Sequence, residues 1–168
     1  MRSLFGAAAL TAGCMVFGLY SVRNKKECER NLFGLICGLE ELRRGLTVGG
    51  DRLEFLFARA EQAAFGKGAM LFARMREALE KGKDFRPFWE AEALEGMAGT
   101  EERERESLRA LGQVLGRYDR DSQLAALDRV IGELRDALER AELRRKDSTR
   151  VELTFSVSVG VILSLLLW

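Results

Sequence analysis

The sequence contains no histidine. That removes the commonest general base and the commonest metal ligand, and it rules out any Cys–His nucleophilic pair. Cysteine is scarce, at Cys14, Cys28 and Cys37. Cys28 and Cys37 are nine residues apart, so on one helix they point to nearly opposite sides and cannot pair. They read as small apolar side chains in a reduced, cytosolic setting. Proline occurs once, at Pro87, so long helices meet little obstruction. There is no surplus of positive charge either, with a formal net charge of +1. A nucleic-acid partner would need a basic excess facing phosphates. Glycine-rich phosphate loops are missing: Gly66-Lys67-Gly68 has neither the full glycine pattern nor a preceding strand. No serine sits in a strand-to-helix elbow. Carboxylates are plentiful, including Glu40, Glu41, Glu90, Glu92, Glu95, Glu101, Glu102 and Glu104. None stands alone in an apolar setting, as a tuned acid would. Asp119, Asp121 and Gln123 lie close together but lack the spacing of a calcium loop. The reading is therefore of a protein that is not an enzyme and has no cofactor and no metal.

What the chain does have is a charged middle between two uncharged ends. Ser3–Val22 and Leu153–Trp168 carry no charge at all. Arg2 is the one charge outside Arg23–Glu152, so the middle holds equal numbers of basic and acidic residues. At 1.5 Å per residue, Ser3–Val22 is just long enough to cross a hydrocarbon core of about 30 Å. Leu153–Trp168 would cover about 24 Å. Arg23, Lys25, Lys26 and Arg30 flank the first stretch, and Arg144, Arg145, Lys146 and Arg150 flank the second. By the positive-inside rule, both flanks of the middle face the cytosol. The expectation is an N-terminal transmembrane helix (3–22), a cytosolic helical domain (24–146) and a C-terminal transmembrane helix (153–168). Small residues four apart, Ala9 with Gly13 and Ser156 with Gly160 and Ser164, are candidates for helix packing in a membrane.

The middle is rich in helix formers and predicts an all-α bundle of about six helices. The first, Asn24–Arg44, repeats Leu32, Leu35, Ile36, Leu39 and Leu42 at intervals of three and four, which marks one buried face. Gly45 and then Gly49-Gly50 stop it. A second helix, about Asp51–Phe65, has Thr47 or Asp51 as its candidate cap and buries some of Leu53, Phe55, Leu56, Phe57 and Ala60. The third, Ala69–Glu80, offers Met70, Leu71, Met75, Ala78 and Leu79. The fourth, Phe85–Met97, takes Pro87 into its first turn and puts Phe88, Trp89 and Leu94 in the core. A fifth, Glu101–Leu115, buries Leu108, Leu111 and Leu115. In the stretch LGQVLGRYDRDSQ, Gly112 permits a close crossing, Gly116 stops the helix and Asp119 caps the next. The sixth helix, about Asp119–Lys146, carries the stripe Leu124, Leu127, Ile131, Leu134, Leu138 and Ala141.

Leu111-Gly112, Leu115-Gly116, Asp119 and Gln123, the stretch EELRRGLT (Glu40–Thr47), and a C-terminal apolar tail containing Gly160 together carry a resemblance over nearly the whole chain. The sequence resembles the stage III sporulation protein AB family of endospore-forming bacteria. That family is similar, in its cytosolic domain, to a cytoplasmic domain of the platform protein F of type II secretion and type IV pilus systems. The resemblance implies a non-enzymatic adaptor of the sporulation channel complex between mother cell and forespore. It would dock the secretion-type ATPase of the same operon, stage III sporulation protein AA. Other membrane subunits and the lipid bilayer would be its further partners, with no nucleic acid. It would be a multi-pass protein of the mother-cell membrane around the forespore, its central domain cytoplasmic. A membrane-bound sensor or signalling subunit is the alternative reading. Candidate protein contacts are Arg117, Asp119, Asp121 and Gln123 at the last turn, and Glu101, Glu102 and Glu104 at the head of the fifth helix.

Overall fold

In a computed structural model of the chain, six α-helices follow one another among the described residues: α1 Arg2–Val48, α2 Leu53–Ala63, α3 Lys67–Glu80, α4 Phe85–Gly96, α5 Glu102–Val114 and α6 Arg120–Leu166. The backbone is described for residues 2–49, 52–96, 102–117 and 119–166. Side chains are described for residue 23 and for 26–145 apart from 50, 51, 93–101 and 118. The chain divides into two units by its contacts, Cys28–Glu139 on the one hand and Met1–Glu27 with Arg140–Trp168 on the other. The described core lies wholly in the first unit.

Glycine sets several of the helix ends. Gly49, Gly66, Gly82 and Gly116 all have positive φ, between 61° and 75°, a region that residues with a Cβ avoid. Gly45 does not stop α1, which runs on to Val48. The N-terminus of α3 is capped from another helix: Asn31 of α1 accepts the Lys67 N–H at 3.0 Å through its side-chain oxygen. That tertiary cap starts α3 before Ala69, and it places Gly68 inside the helix. At the far end of α1, Arg120 donates to the Thr47 carbonyl at 3.3 Å. A cation there suits the negative end of a helix.

The core is built from one face of each helix. Leu32, Leu35, Ile36, Leu39 and Leu42 of α1 are all buried, as their spacing predicts. They meet Leu127, Val130, Ile131 and Leu134 of α6 and Leu108, Leu111 and Leu115 of the α5 end in one cluster. In α3 the aromatic Phe72 is buried, whereas Met70 is exposed. Phe57, Phe72, Phe85 and Trp89 form an aromatic knot around Phe57, with ring centroids 5.7–6.2 Å from it. Phe85 stacks on Trp89 at 5.7 Å. The Trp89 indole N–H donates to the Leu108 carbonyl at 2.7 Å, so the largest core side chain has its polar atom satisfied. Its ring lies on Gly112, where a Cβ would overlap it. Outside the core, α5 and α6 are joined by the Ser107 hydroxyl donating to Glu133. That bond, followed by the one from Arg129, holds the Glu133 carboxyl below its ordinary range.

The expected transmembrane helices, 3–22 and 153–168, require correction. Among the described residues, no helix is long and apolar enough to cross a membrane. Neither stretch is an element of its own. Residues 3–22 belong to α1 and residues 153–166 to α6, each a helix of 47 residues with an amphipathic part among the described side chains. In the part of α1 whose side chains are described, Glu27, Arg30, Glu40, Glu41, Arg43 and Arg44 interrupt any apolar run, and a spanning helix needs about 20 consecutive, mostly apolar residues. The side chains of 3–22 and 153–168 lie outside the described residues, and Ala9, Gly13, Ser156, Gly160 and Ser164 with them. The multi-pass membrane location, with the middle placed in the cytoplasm, rested on those two spans and is corrected together with them.

Candidate functional site

The turn between α5 and α6 follows from its residues. Gly116 takes φ of 73° and turns the chain out of α5. Asp119 then accepts from the Ser122 N–H at 3.1 Å and from the Ser122 hydroxyl at 2.8 Å. This is the N-cap that an aspartate at this position predicts. The Ser122 hydroxyl bond, and then the Ser122 N–H, hold the Asp119 carboxyl below its ordinary value. Gln123 reaches back, and its side-chain oxygen accepts the Gly116 N–H at 3.1 Å. Leu53, at the start of α2, lies against Gly116; a Cβ there would come within 3.3 Å of it.

The seven expected contact residues are not one patch. Arg117, Asp119 and Asp121 are exposed on the turn, while Gln123 is buried and ties the turn together. Glu102 is exposed at the head of α5, Glu104 is buried, and Glu101 lies outside the described residues. A helix of 13 residues separates Glu102 from the turn by about 20 Å. Two exposed places remain, one at each end of α5, with Glu104 and Gln123 behind them.

Several other charged groups of the domain pair with one another on its surface. Arg43 pairs with Asp128, Arg135 with Glu40 at 2.5 Å, and Arg74 with Glu92 at 2.6 Å. Glu41 takes both Arg59 and Arg44. Burial, and after it the neighbouring carboxylates Glu29 and Glu40, pushes the Cys28 and Cys37 thiols up. Neither is in a disulfide. Among the described residues, no group of three His, Cys, Asp or Glu is placed to hold a metal ion.

Sequence reasoning missed the packing seam on α1. Gly34 lies under the Phe65 carbonyl, Gly38 under the Phe72 ring and Gly45 under Leu56, and the Gly68 backbone lies on that of Leu35. The signal was present as glycines four and seven apart on one helix. Without the opposing helix they look only like weak helix formers.

The model of the family described as stage III sporulation protein AB matches residues 3–168. A solved structure titled "Stage III sporulation protein AB (SpoIIIAB)" is similar with a TM-score of 0.64 and 22% identity. The similarity covers 72% of this chain and 98% of that one. At that identity it speaks for the fold. None of the curated proteins matches the sequence.

Proposed function

The chain belongs to the stage III sporulation protein AB family, and on that premise we propose that it is a non-enzymatic adaptor of a sporulation complex. Its partner in this reading is the secretion-type ATPase of the same operon, stage III sporulation protein AA, with other subunits of the complex beside it. The family match over residues 3–168 is the observation that carries the proposal. The chemistry of the described residues is compatible with it. Glu40, Glu41, Glu92 and Asp128 sit in surface ion pairs, burial pushes the Cys28 and Cys37 thiols up, and the apolar interior is filled by Trp89, Phe57 and Phe72. Such a domain offers a partner a surface of fixed shape and charge.

The contact surface in this proposal includes Arg117, Asp119 and Asp121 on the turn and Glu102 at the head of α5, with Glu101 next to it in the sequence. Glu104 and Gln123 support these two places from inside. Isothermal titration of the full chain with the purified ATPase tests the reading. Saturable binding that weakens on charge reversal at Arg117 and Asp121 is expected. No binding by the wild-type chain would sink the adaptor role with this partner.

A further inference from the structure

We propose that the groove between α2 and α3 seats a basic segment of the partner protein, anchored by an apolar side chain against Phe55; the proposal rests on the adaptor reading above. The groove is lined by Glu54, Phe55, Ala58, Glu61, Arg76 and Glu80. Phe55 is 60% exposed, although its neighbours Leu56 and Phe57 are buried in the core. A large aromatic ring left in water beside an acidic rim has the make-up of an interface anchor.

The charge selects the occupant. Three carboxylates face one guanidinium, and Arg76 already donates to Glu61 at 3.0 Å and to Glu80 at 2.8 Å. The groove therefore keeps a net negative rim with its cation held in place. Nucleic acid and acidic peptides are repelled by such a rim. A segment bearing Lys or Arg around an apolar residue complements it. The groove also starts beside the candidate turn, because Leu53, which precedes Glu54, lies against Gly116. A partner held at Arg117 and Asp121 therefore has the head of α2 within reach.

The titration with the purified ATPase tests this, using F55S and E54K/E80K in the full chain. All three side chains lie outside the core, so the thermal unfolding midpoint should stay near that of the wild type. F55S is expected to weaken binding by about tenfold or more. Binding by the wild type should weaken as salt is raised, and E54K/E80K should bind more weakly with a flatter salt dependence. A photocrosslinker placed at position 55 should then mark a Lys- or Arg-bearing segment of the ATPase. Wild-type affinity in both variants, alongside loss on reversal at Arg117 and Asp121, would overturn the groove and leave the adaptor reading standing. Crosslinks to an acidic segment, or variants that change only self-association of the chain, would overturn it too. Absence of any wild-type binding would overturn both.

Discussion

Gly112 and Gly132 show how the same residue type can have opposite roles. At Gly112 a Cβ would overlap the Trp89 indole, whereas nothing lies within 4 Å of the position a Cβ would take at Gly132. G112A should therefore destabilise the fold by about 1–3 kcal/mol through overpacking. G132A, in an exposed helical site, should stabilise it by about 0.5–1 kcal/mol. Urea unfolding of the two variants checks the pair, and equal effects would remove the seat assigned to Trp89. Asp119 gives a prediction with a pH dependence. Its carboxyl is held below the ordinary value by Ser122, so it contributes stability above the unfolded aspartate range. That contribution is lost as pH falls through the lowered value. D119A should melt below the wild type at neutral pH, and the gap should close as the solution is acidified. D119N keeps a capping side chain and should melt above D119A at neutral pH. A gap that does not change with pH would show that the carboxylate charge is not its source. The cap was legible because an N-cap is local: glycine, aspartate and the following helix lie within a few residues. The burial of Glu104 was not legible, since it depends on what covers that turn of α5.

At the scale of elements, α1 is joined to its neighbours in two ways of different strength. The glycine seam lets α2 and α3 approach its backbone, and surface ion pairs run from Glu40 to Arg135 and from Arg43 to Asp128. Arg135 is 61% exposed in its pair, and exposed pairs contribute typically less than about 1 kcal/mol. Close packing is the stronger of the two. G38A should destabilise the domain by about 1–3 kcal/mol, because the new methyl meets the buried Phe72 ring. Adding F72L should recover part of that loss, since the two sites touch and their effects cannot be independent. R135A should cost much less than G38A. Chemical denaturation of the wild type, G38A, F72L, G38A/F72L and R135A checks this, and simple additivity of G38A and F72L would exclude the contact. Helix boundaries were largely readable, because glycines with positive φ end α1, the α2–α3 connection, α3 and α5. The start of α3 was placed too late because its cap, Asn31, comes from 36 residues away.

For the molecule as a whole, the core lies between Leu32 and Ala137, inside the unit Cys28–Glu139. A fragment of residues 28–139 should therefore fold on its own, with helical circular dichroism and one cooperative denaturant transition. A fragment without a cooperative transition would show that the remaining parts of α1 and α6 are needed for the fold. The exposed groups at the α5–α6 turn and in the α2–α3 groove belong to this same unit, so the fragment should also retain binding to the ATPase. The expectation of two membrane spans arose at this scale, from the apolar content of two stretches each read in isolation. In the fold each stretch continues into an amphipathic helix, and no described helix meets the length and apolarity that crossing requires.

The sequence by itself determined the all-α class, the six helices and the apolar faces of α1, α5 and α6. It also determined the absence of histidine chemistry and a resemblance that the family match bears out. These are properties of periodicity and residue type, which act over one or two turns of chain. The tertiary structure alone decided that Trp89 sits on Gly112, that Asn31 caps α3, that Glu104 and Gln123 are inside, and that Phe55 is outside. Each of those outcomes depends on which surface of a distant helix is brought within contact distance, and short-range spacing carries no record of that.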